Sequence, residues 1–239
     1  MWKIGVDEAG RGPVIGPLVV CAVAIPLDQY DFLKSAGVKD SKFLTKKKRK
    51  ELQEWFKQNS KTKQWHYNLI ICHPERIDSS SKNQGLNVLE TELFAEAING
   101  LPDDVKQSVQ ILNDACDVKP QRFTDRIANQ LKSWPWKDST IISEHKADET
   151  DPFVGMASIL AKEKRDMCVE EISAEVGFSV GSGYPSDPNT KNILPKLLEN
   201  NPHPQLRWSW VTVEREWKKI HDKELPKRNS PPKNQSTLF

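Results

Sequence analysis

The chain has 239 residues, 37% hydrophobic and 28% charged, with a net charge of +2 at pH 7 and a mean hydropathy of −0.64. This length buries a sizeable core without disulfides or structural metals, and no apolar run approaches the roughly 20 residues of a membrane-spanning helix. The acidic pair Asp7 and Glu8 stands where a secretory signal needs an apolar core, so a cytoplasmic protein is expected. Cys21, Cys72, Cys116 and Cys168 are far apart and lack zinc-ligand spacing, which points to reduced, mostly buried thiols.

In chain order, residues 2–6 alternate apolar and non-apolar and predict a strand. Gly10, Gly12 and Gly16 mark a tight loop closed by Pro17, and 18–25 predict a second strand, hence a hairpin. Thr45 suits the N-cap of a helix reaching about Asn59 that buries Leu52, Trp55 and Phe56. A third strand is expected over 65–72. Leu86, Leu89, Leu93 and Ala97 recur at helical spacing and Asn99 with Gly100 ends that helix. Residues 109–112 predict a strand running into Asn113 and Asp114. Phe123, Ile127 and Leu131 mark a helix, and 140–142 a further strand. Asp151 and Pro152 open a long helix as cap and first residue. A helix is expected near 192–200, with Pro195 obscuring its start, and a charged one follows Trp208, Trp210 and Val213. Beyond His221 no core-forming pattern remains.

These elements predict an α/β protein with a mixed sheet flanked by helices and a small helical C-terminal part. The expected division is a catalytic domain over 1–176, a helical substrate-binding subdomain over 177–220, and a flexible tail over 221–239.

The glycine loop has the spacing G-x-G-x-x-x-G with Pro13 inside and a strand after it, so it matches neither a dinucleotide fingerprint nor a Walker loop. It offers bare backbone to a sugar–phosphate chain, or it is a plain hairpin turn. Acids end several predicted strands: Asp7 and Glu8, then Asp114, then Asp148. Each alone reads equally as a cap or turn residue. Brought together, they repel, and the cluster persists only with cations. Oxygen-only donors suit Mg²⁺ or Mn²⁺ rather than zinc, and two such ions suit phosphodiester hydrolysis.

Residues 5–12, Gly-Val-Asp-Glu-Ala-Gly-Arg-Gly, with Pro13, Gly16 and Pro17, resemble the signature of ribonuclease HII, the type 2 ribonuclease H family. The segments at 39–42 (Lys-Asp-Ser-Lys), 113–118, 145–148 (His-Lys-Ala-Asp), 157–162 and 181–187 agree, in an archaeal-like order from Trp2 to about Lys219. The resemblance implies a ribonuclease H-like fold and an endoribonuclease that cuts the RNA strand of RNA·DNA hybrids. It implies cutting also at ribonucleotides embedded in duplex DNA, leaving 3′-hydroxyl and 5′-phosphate ends, with roles in replication and ribonucleotide excision repair.

By resemblance, Asp7, Glu8, Asp114 and Asp148 hold two ions of Mg²⁺ or Mn²⁺. Asp7 bridges them, Asp148 serves the ion that activates water, and Glu8 and Asp114 serve the ion at the leaving oxygen. Gly10, Arg11 and Gly12 match the loop that reads the ribose 2′-hydroxyl through backbone atoms. Tyr184 matches the tyrosine packing on the next deoxyribose.

Asp117 competes with Asp114, which stands closer to the strand end. Asp151 competes with Asp148 but is better placed as a helix cap. His145 reads as a structural hydrogen bonder or a proton shuttle, Trp208 and Trp210 as core residues or base-stacking platforms. Lys39, Lys42 and Lys46, in a stretch of seven basic residues and one acid over 39–50, are expected to meet phosphates. Gln235, Leu238 and Phe239, a Gln with an aliphatic residue three positions on and an aromatic after it, resemble a truncated sliding-clamp-binding peptide and would share one face if they formed a helical turn; an inert end fits as well. A monomer is expected. A non-catalytic nucleic-acid binder gains nothing from an acidic cluster, and a DNA-only nuclease would not need the ribose-reading loop.

Overall fold

The structure is a computed structural model and describes residues 1–38 and 41–228. Five strands form one sheet in the order β3-β2-β1-β4-β5. They are β1 (Trp2–Ala9), β2 (Leu18–Pro26), β3 (His66–Cys72), β4 (Val109–Asp114) and β5 (Thr140–Glu144). The expected hairpin is present: β1 and β2 are antiparallel, with Trp2 opposite Pro26 and Ala9 opposite Val19. β4 runs parallel to β1, and β5 parallel to β4, so the mixed sheet read from the sequence is observed.

The helices are α1 (Tyr30–Ser35), α2 (Lys46–Lys63), α3 (Pro74–Asn83), α4 (Leu86–Asn99), α5 (Pro120–Ala128), α6 (Ala147–Thr150), α7 (Pro152–Val176), α8 (Pro188–Ile193) and α9 (Val211–His221). Thr45 caps α2, its hydroxyl accepting from Lys48 N at 3.2 Å. Asp151 caps α7, its Oδ1 accepting from Phe153 N at 2.9 Å and Val154 N at 3.3 Å. Several boundaries differ from expectation: β1 runs on to Ala9 and α2 to Lys63. Leu131 lies beyond α5. The helix expected over 192–200 is instead α8 followed by a 3₁₀ turn at Lys196–Leu198. Asp187 caps α8 by accepting from Asn189 N at 2.9 Å, with Pro188 at the first position, and Pro195 has no N–H to carry the helix across. α1, α3 and the single turn α6 were not expected. α3 opens on Pro74 and is polar along most of its length, with Asp78, Ser79, Ser80 and Ser81 in sequence, which hides a helical period.

The chain divides into two compact units, both discontinuous. The first comprises Met1–Arg11, Leu18–Ile71 and Asn87–Met167; the second comprises Gly12–Pro17, Cys72–Leu86 and Cys168–Phe239. The first unit holds the sheet. β2 is buried along almost its whole length, as expected for a strand covered on both faces. It packs with Leu52 and Phe56 of α2, Trp65, and Phe153, Met156 and Leu160 of α7. Trp55, expected in this core, is only partly buried against it.

The second unit is not the contiguous 177–220 segment of the sequence reading. Val14 and Ile15 belong to its core with Ile172, Val180, Leu198, Leu206 and Trp217. Val14 N donates to Gly183 O at 2.8 Å, Arg207 N donates to Val14 O at 2.9 Å, and the buried Arg207 side chain donates Nε–H to Gly16 O at 3.0 Å. The glycine loop therefore closes backbone pairing for segments almost 200 residues away in sequence, which composition cannot show. The tail also starts later than His221. Trp217 Nε1 donates to Glu224 O at 3.1 Å, and Leu225 packs on the core. Arg228 Nε lies 2.9 Å from Asp78 Oδ2, and the same carboxylate accepts from Trp208 N at 3.0 Å and Ser209 N at 2.9 Å.

Gly5, mid-β1, is dictated by packing in the first unit. A Cβ there would stand 2.5 Å from Val154 N and 2.6 Å from Phe153 O, at the start of α7. These are backbone atoms and cannot rotate away. Gly5→Ala should therefore destabilise the protein by about 3 kcal/mol or more, toward the upper end of overpacking costs, read as a shifted urea midpoint at unchanged slope.

Candidate active site

Parallel pairing decides which residues meet. β1, β4 and β5 end at the same edge of the sheet, where an open α/β sheet gathers its functional groups. Val6 is paired with Asn113, so Asp7 and Asp114 stand one step further along neighbouring strands. Beyond β5, Lys146 adopts a left-handed backbone (φ 60°) and turns the chain into α6, which carries Asp148. Ala147 N, at the start of that turn, donates to Asp114 Oδ1 at 2.9 Å. One oxygen each of Asp7, Asp114 and Asp148 lies within 4.8 Å of the others. Asp7 and Asp148 are buried.

Three carboxylates this close raise one another's proton affinity. Burial first, then Asp114 and Asp148, push Asp7 up to about 8 from its ordinary 3.8, against hydrogen bonds from Ser158 and the Glu8 amide. Burial also raises Asp114, offset by the Ala147 amide and by Lys42. Glu8 is raised well above its usual range by burial, Asp7, Glu90 and Asp114, and its buried Oε2 has no hydrogen-bond partner among the described residues. A converging set of oxygen donors, one of them unspent, and no imidazole in the cluster fits a hard divalent cation. Asp7, Asp114 and Asp148, with Glu8 beside them, are the residues that would hold it.

The competing acids have other tasks. Asp117 is fully buried in an ion pair with Arg122, whose Nε lies 2.9 Å away, and it accepts from Lys119 N at 3.0 Å; Arg122 holds its carboxyl below the usual range. Asp151 caps α7 and pairs with Lys3. His145 donates Nδ1–H to Ala115 O at 3.1 Å, a structural bond. Trp208 and Trp210 pack against the second unit's core, and Trp210 Nε1 donates to Gly12 O at 3.3 Å.

Of the expected substrate contacts, Lys42 is exposed and its Nζ lies 3.4 Å from Asp148. Lys46, also exposed, begins α2. Lys39 lies outside the described residues, as do Gln235, Leu238 and Phe239. In the second unit a Cβ on Gly12 would come within 3.5 Å of Tyr184 Cε1, so the tyrosine ring lies close over that glycine and is itself 37% exposed. The Arg11 guanidinium, by contrast, is engaged with protein groups: Nη1 donates to Cys116 O at 2.7 Å and Nη2 to Asn87 Oδ1 at 2.6 Å.

Three supporting residues had no role assigned from the sequence: Ser158, Ser41 and Glu90. Ser158 bonds Asp7 and is tied to Ser41 through hydroxyls 2.9 Å apart. Glu90 is fully buried on α4. For Glu90 a signal existed: it sits four residues after Leu86 and three before Leu93, a charge on the apolar face of a predicted helix.

The sign of the Asp7 shift gives a stability prediction for protein freed of metal by a chelator. Between about pH 4 and 8 the folded chain retains a proton that the unfolded chain has released, so stability should fall as pH rises through this window. Asp7→Asn should flatten that decline and melt higher than the parent at about pH 8, as read by thermal denaturation.

A family model described as Ribonuclease HII matches residues 4–213. The chain is 39% identical over 224 residues to the ribonuclease HII of Methanococcus maripaludis, covering 93% of this chain and 90% of the relative. It is 43% identical over 211 residues to that of Pyrococcus furiosus, covering 87% and 88%. Among solved structures, ribonuclease H2 from Pyrococcus horikoshii superposes with a TM-score of 0.79 at 36% identity, covering 93% of this chain and all of that one. The ribonuclease HII of Archaeoglobus fulgidus, solved in a complex with PCNA, gives 0.74 at 34% identity, covering 88% and 95%. These matches extend over nearly the whole fold and over every strand end that carries an acid, and the chain belongs to the ribonuclease HII family, hydrolases that cut the RNA strand of RNA·DNA hybrids with the help of divalent metal.

Proposed function

We propose that the chain also cuts duplex DNA at embedded ribonucleotides, with two ions of Mg²⁺ or Mn²⁺ held by Asp7, Glu8, Asp114 and Asp148, leaving 3′-hydroxyl and 5′-phosphate ends. The observation that supports this most is the convergence of Asp7, Asp114 and Asp148 oxygens within 4.8 Å at the carboxyl edge of the sheet. Bound there, such ions supply activation of water and neutralisation of the leaving oxygen. Asp7 would serve both ions, Asp148 the one that would activate water, and Glu8 and Asp114 the one that would neutralise the leaving oxygen. Lys42, exposed beside Asp148, presents an ammonium to a substrate phosphate, and Lys46 does so from the start of α2. The backbone of Gly10, Arg11 and Gly12 reads the ribose 2′-hydroxyl, the group by which RNA differs from DNA. Tyr184 packs on the deoxyribose beyond it. These activities belong to replication and the removal of misincorporated ribonucleotides.

The test is a DNA duplex carrying one ribonucleotide, incubated with and without Mg²⁺. The wild-type chain should cut it only with the ion. Asp148→Asn should lower the rate at least about a thousandfold while the protein stays folded. Tyr184→Ala should slow this substrate more than a long hybrid, because a junction exists only in the former. Cleavage by Asp148→Asn at the wild-type rate would remove that carboxylate from the site.

We propose further that Gln235, Leu238 and Phe239 bind a sliding clamp, as the Archaeoglobus relative's complex with PCNA suggests. Removing residues 235–239 should abolish clamp binding, measured by surface plasmon resonance, and leave cleavage of short substrates unchanged. A full-length chain that does not bind its clamp contradicts this.

A further inference from the structure

Glu90 has no part in the reaction as read above, yet it is fully buried, and a buried carboxylate is costly unless paired and hydrogen-bonded. Its partners come from two directions. Arg11 Nε lies 3.3 Å from Glu90 Oε1, and Cys116 Sγ donates to Oε2 at 3.0 Å. One α-helical turn earlier on the same face, Asn87 accepts from Arg11 Nη2 at 2.6 Å, while Cys116 accepts from Nη1 through its carbonyl at 2.7 Å. All three guanidinium nitrogens therefore face protein acceptors. Arg11 follows Glu8 by three residues and Cys116 follows Asp114 by two, so the cluster joins the chain just beyond two acid-bearing strand ends. One ligand atom each of Glu8, Glu90 and Cys116 also lies within 4.8 Å of the others, so Glu90 stands beside Glu8.

We infer that Glu90 is a positioning residue: with Asn87 and the Cys116 carbonyl it holds the Arg11 side chain against the protein, and thereby sets the Gly10 and Arg11 backbone that reads the ribose. Arg11 then contributes to selectivity through its main chain and makes no phosphate contact with its guanidinium. A planar fork donates to two acceptors and pairs with Glu90 in fixed directions, which the single ammonium of lysine cannot reproduce. Gly10 helps in the same sense, since its positive φ of 93° is a conformation that other residues strain to adopt. The inference rests on the proposed reading of the ribose by this loop.

The experiment uses the full chain with Mg²⁺ and two duplexes of one sequence, with and without a single ribonucleotide. It measures KM and kcat for the first and the inhibition constant Ki of the second. In the wild-type enzyme KM should lie well below Ki. Arg11→Lys and Glu90→Gln should each raise KM about tenfold, the scale of one charge-assisted hydrogen bond, and leave Ki unchanged. Arg11→Met should leave the dependence of Ki on salt unchanged, whereas loss of a phosphate contact lowers that slope by about one. Unchanged KM in Arg11→Lys, which alters a partly exposed side chain and does not threaten the fold, overturns the inference. So does a lowered salt slope in Arg11→Met. A wild-type KM equal to Ki overturns the ribose reading itself, and the positioning role falls with it.

Discussion

Mutual repulsion among Asp7, Asp114 and Asp148 is the constraint on which the catalytic unit turns. A polypeptide gains nothing from crowding three carboxylates within 4.8 Å, and burial, with Asp114 and Asp148 adding to it, raises the proton affinity of Asp7. The fold can force it because β1, β4 and β5 are parallel neighbours, so side chains at their carboxyl ends share one edge. Close packing adds to the coercion: β1 lies so near the start of α7 that Gly5 has no room for a Cβ, which fixes the strand two residues before Asp7.

The surrounding groups soften the repulsion without cancelling it. The Ala147 amide serves Asp114, the Ser158 hydroxyl serves Asp7, and Lys42 stands beside Asp148. Arg11 pairs with Glu90, which stands beside Glu8. What is left unsatisfied, above all the buried Oε2 of Glu8, is the capacity a hard cation would use. A cation bound there would recover the stability given up at the strand ends, and the remaining hydrophobic core, from the buried β2 strand to Phe56 and Phe153, carries the fold.

Much of this was legible beforehand. Hydrophobic period and cap chemistry located all five strands, and Thr45 and Asp151 marked helix starts that the structure confirms by hydrogen bond. The candidate acids Asp7, Glu8, Asp114 and Asp148 were identifiable from their places after strands and from the ribonuclease HII motifs, and the structure brings oxygens of Asp7, Asp114 and Asp148 within 4.8 Å of one another. The failures have physical causes. α3 is a run of polar residues whose buried members, Ile77 and Asp78 among them, follow no simple apolar stripe. The extent of the second unit was missed because Val14, Ile15 and Gly16 bond residues 183, 205 and 207, partners set by tertiary pairing. The stretch after His221 was read as tail because its anchors, Leu225 and Arg228, are one apolar residue and one charge in a basic segment.

The sequence by itself indicated the strands, most of the longer helices, the candidate acids and the family resemblance, because periodicity, caps and short motifs are local and each residue carries its own part of the signal. Tertiary structure alone shows what separates Asp114, already preferred from its place at the strand end, from Asp117, a similar acid three positions on. One is held at the shared strand edge by the Ala147 amide, while the other is withdrawn into an ion pair with Arg122. It also decided that the Arg11 side chain turns to Glu90 and Asn87. A side chain's direction depends on which acceptors the fold brings within about 3 Å, and these come from a helix more than 70 residues away.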